Sequence, residues 1–360
     1  MDEAPLRFPL VRELDGVRAV AVAIVFLSHI GLGRYVPGGL GVTIFFFLSG
    51  YLITSLLYAE AATRKRIDLA GFYIRRTLRI FPPLYLTLGV SALVVASGMI
   101  GRNISLHSVV SQFLFVSNYD RLIGPHRGLP GPPLWSLAVE EHYYLLFPLV
   151  FGAALLFMPA RRAGWLCLAA CIVPLGFRLL AWALGWDITL NYYFSHTRAD
   201  SILFGAALAL LANPVLHPAS AWRPGPGLFL AACLFLVVVT ILPGAVFAET
   251  WRYSLQGLAL MPIFGFIVTP NRLTSPILTS APAQIVGRFS YTFYLFHVLA
   301  IIVLRDVLPT RNPIVVGPIA FAVSMLYAWA MFVGVERPLA RLRQRLHRVP
   351  TPEPMLAPTR

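Results

Sequence analysis

The segment GVRAVAVAIVFLSHIG, Gly16 to Gly31, is apolar enough to lie in a membrane, yet it carries Arg18 near one end and His29 near the other. In a helix of about 100° per residue their spacing returns them to nearly one face, roughly 16 Å apart along the axis. Ionisable side chains at membrane depth usually face a bundle interior or a wet cavity and mark a pathway or a reaction site. A histidine kept near neutrality is suited to taking a proton from an attacking hydroxyl. The plain structural alternative is that Arg18 snorkels to the interface and His29 bonds a neighbouring helix.

A second group is FYIRRTLRIFPPLY, Phe72 to Tyr85, in which Arg75, Arg76 and Arg79 precede Pro82 and Pro83. Arg76 and Arg79 are three apart and share a helix face. Guanidinium forks bind phosphates bidentately and stay charged, so the pair suits a nucleotide-bearing ligand. Arginines at this position also serve topology alone. The prolines are expected to end one element before the third span begins.

In LPGPPLWSLAVEEHYYLLFP, Leu129 to Pro148, a Pro/Gly-rich loop leads into Ser136 and then Glu140, Glu141 and His142. Ser136 and Glu140 are four apart, hence on one face, where a carboxylate can orient or stabilise an imidazolium. Ser136 also has the character of an N-cap, with acidic residues favouring a helix start. Two further polar groups fall in apolar helices: His196, Arg198 and Asp200, and the stripe Tyr291, Tyr294 and His297. Taken singly, each of these is expected to be structural.

The elements that must hold these residues follow from composition. The chain has 360 residues, 58% hydrophobic and only 12% charged, about half the charge of an ordinary soluble domain. Apolar runs fall at 15–33, 39–58, 83–100, 137–158, 165–184, 199–213, 227–243, 253–269, 288–308 and 313–335. The expected fold is therefore all-α, a polytopic helical membrane protein with about ten transmembrane helices. The run 108–118 is too short to cross unaided and is expected to be re-entrant or interfacial. Met1 to Glu13 is mixed and polar, so no cleavable leader is expected.

The formal net charge of +14 sits mainly in short loops, which argues for membrane orientation and anionic lipid headgroups, not nucleic acid. Placing both termini in the cytoplasm puts Arg64, Lys65, Arg66, Arg161, Arg162 and the basic C-terminal segment inside. The long loop 101–136 then lies outside. Residues 1–345 are expected to form the membrane domain and 346–360 a mobile cytoplasmic tail. Cys167, Cys171 and Cys233 lie in apolar runs and are expected to be small packing residues. There is no Walker-type loop, no HExxH and no nucleophile elbow, so ATPase, zinc-protease and built-in hydrolase readings lack their signatures, and no metal is expected.

Six segments, ELDGVRAVAVAIVFLSHI, GGLGVTIFFFLSGYLITSLL, FYIRRTLRIFPPLY, LWSLAVEEHYYLLFP, RADSILFGAALA and GRFSYTFYLFH, together resemble acyltransferase family three of integral membrane acyltransferases. The resemblance runs from Glu13 to Pro338. Arg18 and His29 match the family's first-helix motif, and Arg76-Thr-Leu-Arg79 its Arg-Xaa-Xaa-Arg motif. It implies transfer of an acyl group, commonly acetyl, from cytoplasmic acyl-CoA to a hydroxyl of an extracytoplasmic acceptor. Acceptors are most often saccharides of a cell-surface polysaccharide or lipopolysaccharide. Arg18, Arg76 and Arg79 would then bind acetyl-CoA, and His29 would serve as base or transient acyl carrier, supported by Glu140 and Ser136. Some members carry a fused extracytoplasmic domain, and members without it are expected either to complete the transfer themselves or to hand the acyl group to a separate transferase partner. The implied location is a bacterial cell membrane, the inner membrane in a Gram-negative cell.

Two other classes fit buried His and Arg. A transporter or flippase for a lipid-linked saccharide or proton-coupled solute would move its substrate unchanged and need no CoA. The absence of a convincing internal repeat counts against it. A scaffold would use the polar stripes only as helix glue.

Overall fold

A computed structural model describes residues 8–101, 103–131, 133–216 and 222–346. The expected tail begins at the last of these, and 347–360 lie outside the described residues. All regular structure among them is helical. The chain runs through α1 (Arg12–Leu27), α2 (Gly38–Arg64), α3 (Leu69–Ala96), the short α4 (Leu106–Phe113) and α5 (Leu134–Phe157). It continues through α6 (Ala160–Ala170), α7 (Ile172–Ala183), α8 (Ser195–Leu211), α9 (Pro226–Ile241), α10 (Ala245–Glu249) and α11 (Arg252–Ile267). The last elements are α12 (Ser275–Leu278), α13 (Ala281–Val307), α14 (Pro313–Met331) and α15 (Arg337–Leu346). A π-turn, Ser28–Leu32, extends α1 past its last α-helical residue.

Seven of the helical stretches are long and apolar enough to cross a membrane. Each remaining expected span is also a helix, but α8, α9 and α11 have only 17, 16 and 16 residues. Of the run 108–118, only the part to Phe113 is helical, within the eight-residue α4. Pro82 and Pro83 do not separate two elements: α3 passes through both for 28 residues. Proline frees carbonyls one turn back and loosens the helix there. In that loosened turn Tyr291 donates its hydroxyl to the Ile80 carbonyl at 2.7 Å, tying α3 to α13.

Close backbone contact organises the centre. A Cβ at Gly50 would collide with the Ile202 carbonyl, and one at Gly205 with the Phe47 carbonyl, so α2 and α8 touch through small residues. Gly16 against Leu278 and Gly287 against Asp15 do the same for α1 beside α12 and α13. Lipid tails give helices no reason to associate by burying apolar area, so such close approach is how membrane helices gain packing energy. Along α1 and α13, Asp15 meets Gly287 while His29 meets His297, so the two helices run parallel. Where water is excluded, polar side chains pair. Arg178 of α7 is fully buried and forks onto Asp200 of α8, with Nη2 to Oδ2 at 2.7 Å, while also bonding Ser254 of α11 and the Thr197 and Thr250 carbonyls. Apolar side chains such as Leu145, Leu149, Leu156 and Phe157 instead remain exposed on the outside of α5.

Candidate active site

His29 sits in the π-turn at the end of α1, where Gly31 takes φ of +116°, a left-handed conformation that a Cβ disfavours. Its Nδ1 lies 2.9 Å from the Val25 carbonyl and 3.2 Å from His297 Nε2. A carbonyl can only accept, so His29 Nδ1 carries the proton and donates it. His297, fully buried, has Nδ1 at 2.8 Å from the Tyr294 carbonyl, so it too donates from Nδ1 and leaves Nε2 as an acceptor facing His29. These bonds fix one tautomer and leave the lone pair of His29 on Nε2. Arg305 of α13 anchors the same turn by donating to the His29 carbonyl at 3.3 Å.

His29 opens on a cavity of about 600 Å³ at one end of the bundle. Arg121, His126, Arg127 and Gly131 from the α4–α5 connection line it, with Trp135 of α5, Tyr193 and Ile302. Trp135 packs on Tyr192 and Tyr193, with ring centroids 4.5 and 5.3 Å away, and the Arg121 guanidinium lies 4.4 Å from the Tyr193 ring centre. The wall is thus aromatic and cationic.

A second cavity, about 260 Å³, lies toward the other end of α1 and α13. Arg18, Arg76, Arg79 and Arg288 line it opposite Asp15, Glu140 and Glu336. Arg18 is held by Asp15 at 2.5 Å. Arg76 rests over the Tyr144 ring, 4.6 Å from its centre. Neither Arg76 nor Arg79 forms an ion pair among the described residues, so both forks remain available. Arg75 turns away, 3.6 Å from Glu60 and 4.0 Å from Asp68. Arg79 and Arg288 are exposed and mark the mouth.

Ser136 and Glu140 share a face of α5, as their spacing predicts, but that face lines the arginine cavity and not the His29 cavity. Glu140 accepts from Ser49 at 2.9 Å and from Tyr144 at 3.2 Å, and its four-residue neighbour Ser136 lies 2.6 Å from the Tyr294 hydroxyl. Neither side chain bonds His29, whose ring partners are the Val25 carbonyl and His297. Their direct partners are Ser49, Tyr144 and Tyr294. Nor is Ser136 an N-cap: α5 begins at Leu134, and Ser136 donates back to the Pro133 carbonyl at 3.1 Å. Arg18 and His29 likewise belong to different cavities, although both look toward α13.

The bond between Ser136 and Tyr294 marks the partition. Ser136 and Tyr294 line the arginine cavity, while the adjoining Trp135 and, one turn along α13, Val298 line the other. Sequence reasoning placed Tyr291, Tyr294 and His297 on one stripe but assigned them no role. Ser49, Tyr144 and His126 carried no signal, because each reaches its cavity through the packing of distant segments.

A family model described as an acyltransferase domain, of acyltransferase family three, matches residues 11–333. The chain belongs to this family. The match encloses both cavities and every lining residue named above except Glu336. Among curated relatives, O-acetyltransferase OatA of Staphylococcus aureus (strain NCTC 8325 / PS 47) is 28% identical over 342 residues, covering 91% of this chain and 57% of that protein. A candidate O-acetyltransferase of S. aureus (strain COL) is 28% identical over 345 residues with the same coverage. The chain thus spans little more than half the length of the curated relatives it matches. No solved structure matches it.

Proposed function

We propose that this protein is a membrane O-acyltransferase that moves an acetyl group from cytoplasmic acetyl-CoA to a hydroxyl of an extracytoplasmic saccharide. The observation that carries this reading is the pair of cavities in one bundle: one with unpaired arginines, the other with an imidazole whose lone pair is free. Phosphate-bearing CoA suits the first, where Arg76 and Arg79 offer forks and Arg18 adds charge near the mouth. The second, walled by Trp135, Tyr193 and Arg121, suits a saccharide that stacks on aromatic rings. The chain crosses the membrane ten times in this reading, with both termini in the cytoplasm. Arg79 then lies on the inner side, and residues 103–131 cover the outer cavity, as the positive-inside bias favours.

His29 Nε2 is the reactive atom. The pantetheine arm brings the thioester through the partition at Ser136 and Tyr294, and Glu140, held by Ser49 and Tyr144, keeps the passage polar. His29 Nε2 then attacks the thioester carbonyl and carries the acyl group to the acceptor. The donor test is equilibrium binding of acetyl-CoA to purified protein in nanodiscs. Hydrogen bonds to charged groups contribute about 1.5–3 kcal/mol each, so losing both forks in Arg76→Ala/Arg79→Ala should weaken binding by about a hundredfold or more. Unchanged affinity removes these arginines from the donor site.

A further inference from the structure

Asp120 is buried beneath the outer loop, in the turn Asp120–Leu122 that follows α4, with its side chain out of solvent. Its Oδ2 lies 2.6 Å from His126 Nδ1 and accepts from Ser108 Oγ at 2.7 Å. A carboxylate accepts, so His126 donates from Nδ1 and keeps its lone pair on Nε2. Such a carboxylate orients an imidazole and stabilises the imidazolium that forms when it takes a proton. His126 is 34% exposed and lines the same cavity as His29. His107 stands 3.5 Å from the other oxygen of Asp120, but it does not line that cavity.

We propose, resting on the acyl transfer set out above, that His126 is a second base of the outer cavity, held by Asp120, and takes the proton of the acceptor hydroxyl. The need for it comes from His29 itself. In the first step His29 Nε2 attacks the thioester carbonyl, the C–N bond forms, the C–S bond breaks and CoA leaves as its thiolate. His29 is then an acyl-imidazolium whose Nδ1–H still faces the Val25 carbonyl and His297, and it has no lone pair left. In the second step the acceptor oxygen attacks the acyl carbon, the C–O bond forms and the C–N bond breaks. The electron pair returns to Nε2 of a neutral His29, and the hydroxyl proton passes to His126 Nε2. Asp120 offsets the resulting charge until the proton leaves to solvent.

The test uses the full chain in nanodiscs with acetyl-CoA as donor and either water or hydroxylamine as nucleophile. Hydroxylamine attacks acyl-imidazoles without help from a base, and His29→Ala supplies its uncatalysed background. Loss of a general base costs about 10²–10⁴-fold. His126→Gln is therefore expected to slow CoA release with water about a hundredfold, while acetohydroxamate formation stays within about threefold of wild type. Asp120→Asn should show the same split, more weakly. If neither rate falls in His126→Gln, or both fall together, His126 is not the second base, while wild-type turnover leaves acyl transfer standing. If wild type gives neither free CoA nor acetohydroxamate, acyl transfer fails and the second base with it.

Discussion

At the scale of single residues, the orientation of His29 is decided by a neighbour 268 positions away in the chain. Its Nδ1–H is shared between the Val25 carbonyl and His297 Nε2, and only that arrangement leaves Nε2 free. Replacing His297 by Phe keeps the aromatic packing against Phe26 and Phe293 but removes the acceptor. The expected result is a fall of about tenfold or more in kcat for CoA release with KM for acetyl-CoA unchanged, since the donor cavity is untouched. An equal rise in KM would place the effect on folding or on the donor site instead. The sequence shows Arg18, His29, Arg76 and Arg79 by their spacing, and places Ser136 and Glu140 correctly on one face. It does not show His297 as the partner of His29, because that contact depends on how α1 and α13 lie against each other.

Among the elements, the same contrast between local and distant information recurs. The apolar runs locate the long helices well, because hydropathy is a property of a continuous segment. Pro82 and Pro83 mislead: a helix tolerates them when a neighbouring hydroxyl, here Tyr291, supports the loosened turn. The close approach of α2 and α8 yields a direct expectation. Gly50→Val would force the Ile202 carbonyl away, and overpacking costs about 1–3 kcal/mol or more. The variant should show a lower Tm in detergent, whereas the same change at Gly176, which has open space, should not. The Arg178–Asp200 pair gives a second expectation. Removing one partner of a buried pair costs about 3–5 kcal/mol, but replacing both with apolar residues often costs little. Arg178→Met alone should therefore unfold at a lower temperature than Arg178→Met/Asp200→Leu. The reverse order would show that the pair adds more than it costs to bury.

For the molecule as a whole, two cavities lie toward opposite ends of α1 and α13, and in the proposed reading they divide the work. In that reading Arg76 and Arg79 take the charged donor, and the imidazole meets the acceptor. Ser136 and Tyr294 stand between them, so on the proposed path the acyl group crosses a polar partition while the bulk of CoA stays on its own side. This division predicts sidedness. In proteoliposomes oriented with the Arg79 end facing out, added acetyl-CoA should release thiol without permeabilising the vesicle, and in the opposite orientation only after permeabilisation. The central claim, that His29 carries the chemistry and the arginine cavity only binds the donor, is tested most directly by comparing wild type with His29→Ala in nanodiscs for acetyl-CoA binding and CoA release. The account predicts equal affinity and a CoA release at least about a hundredfold slower in the variant. Release at the wild-type rate by a folded His29→Ala protein would contradict it.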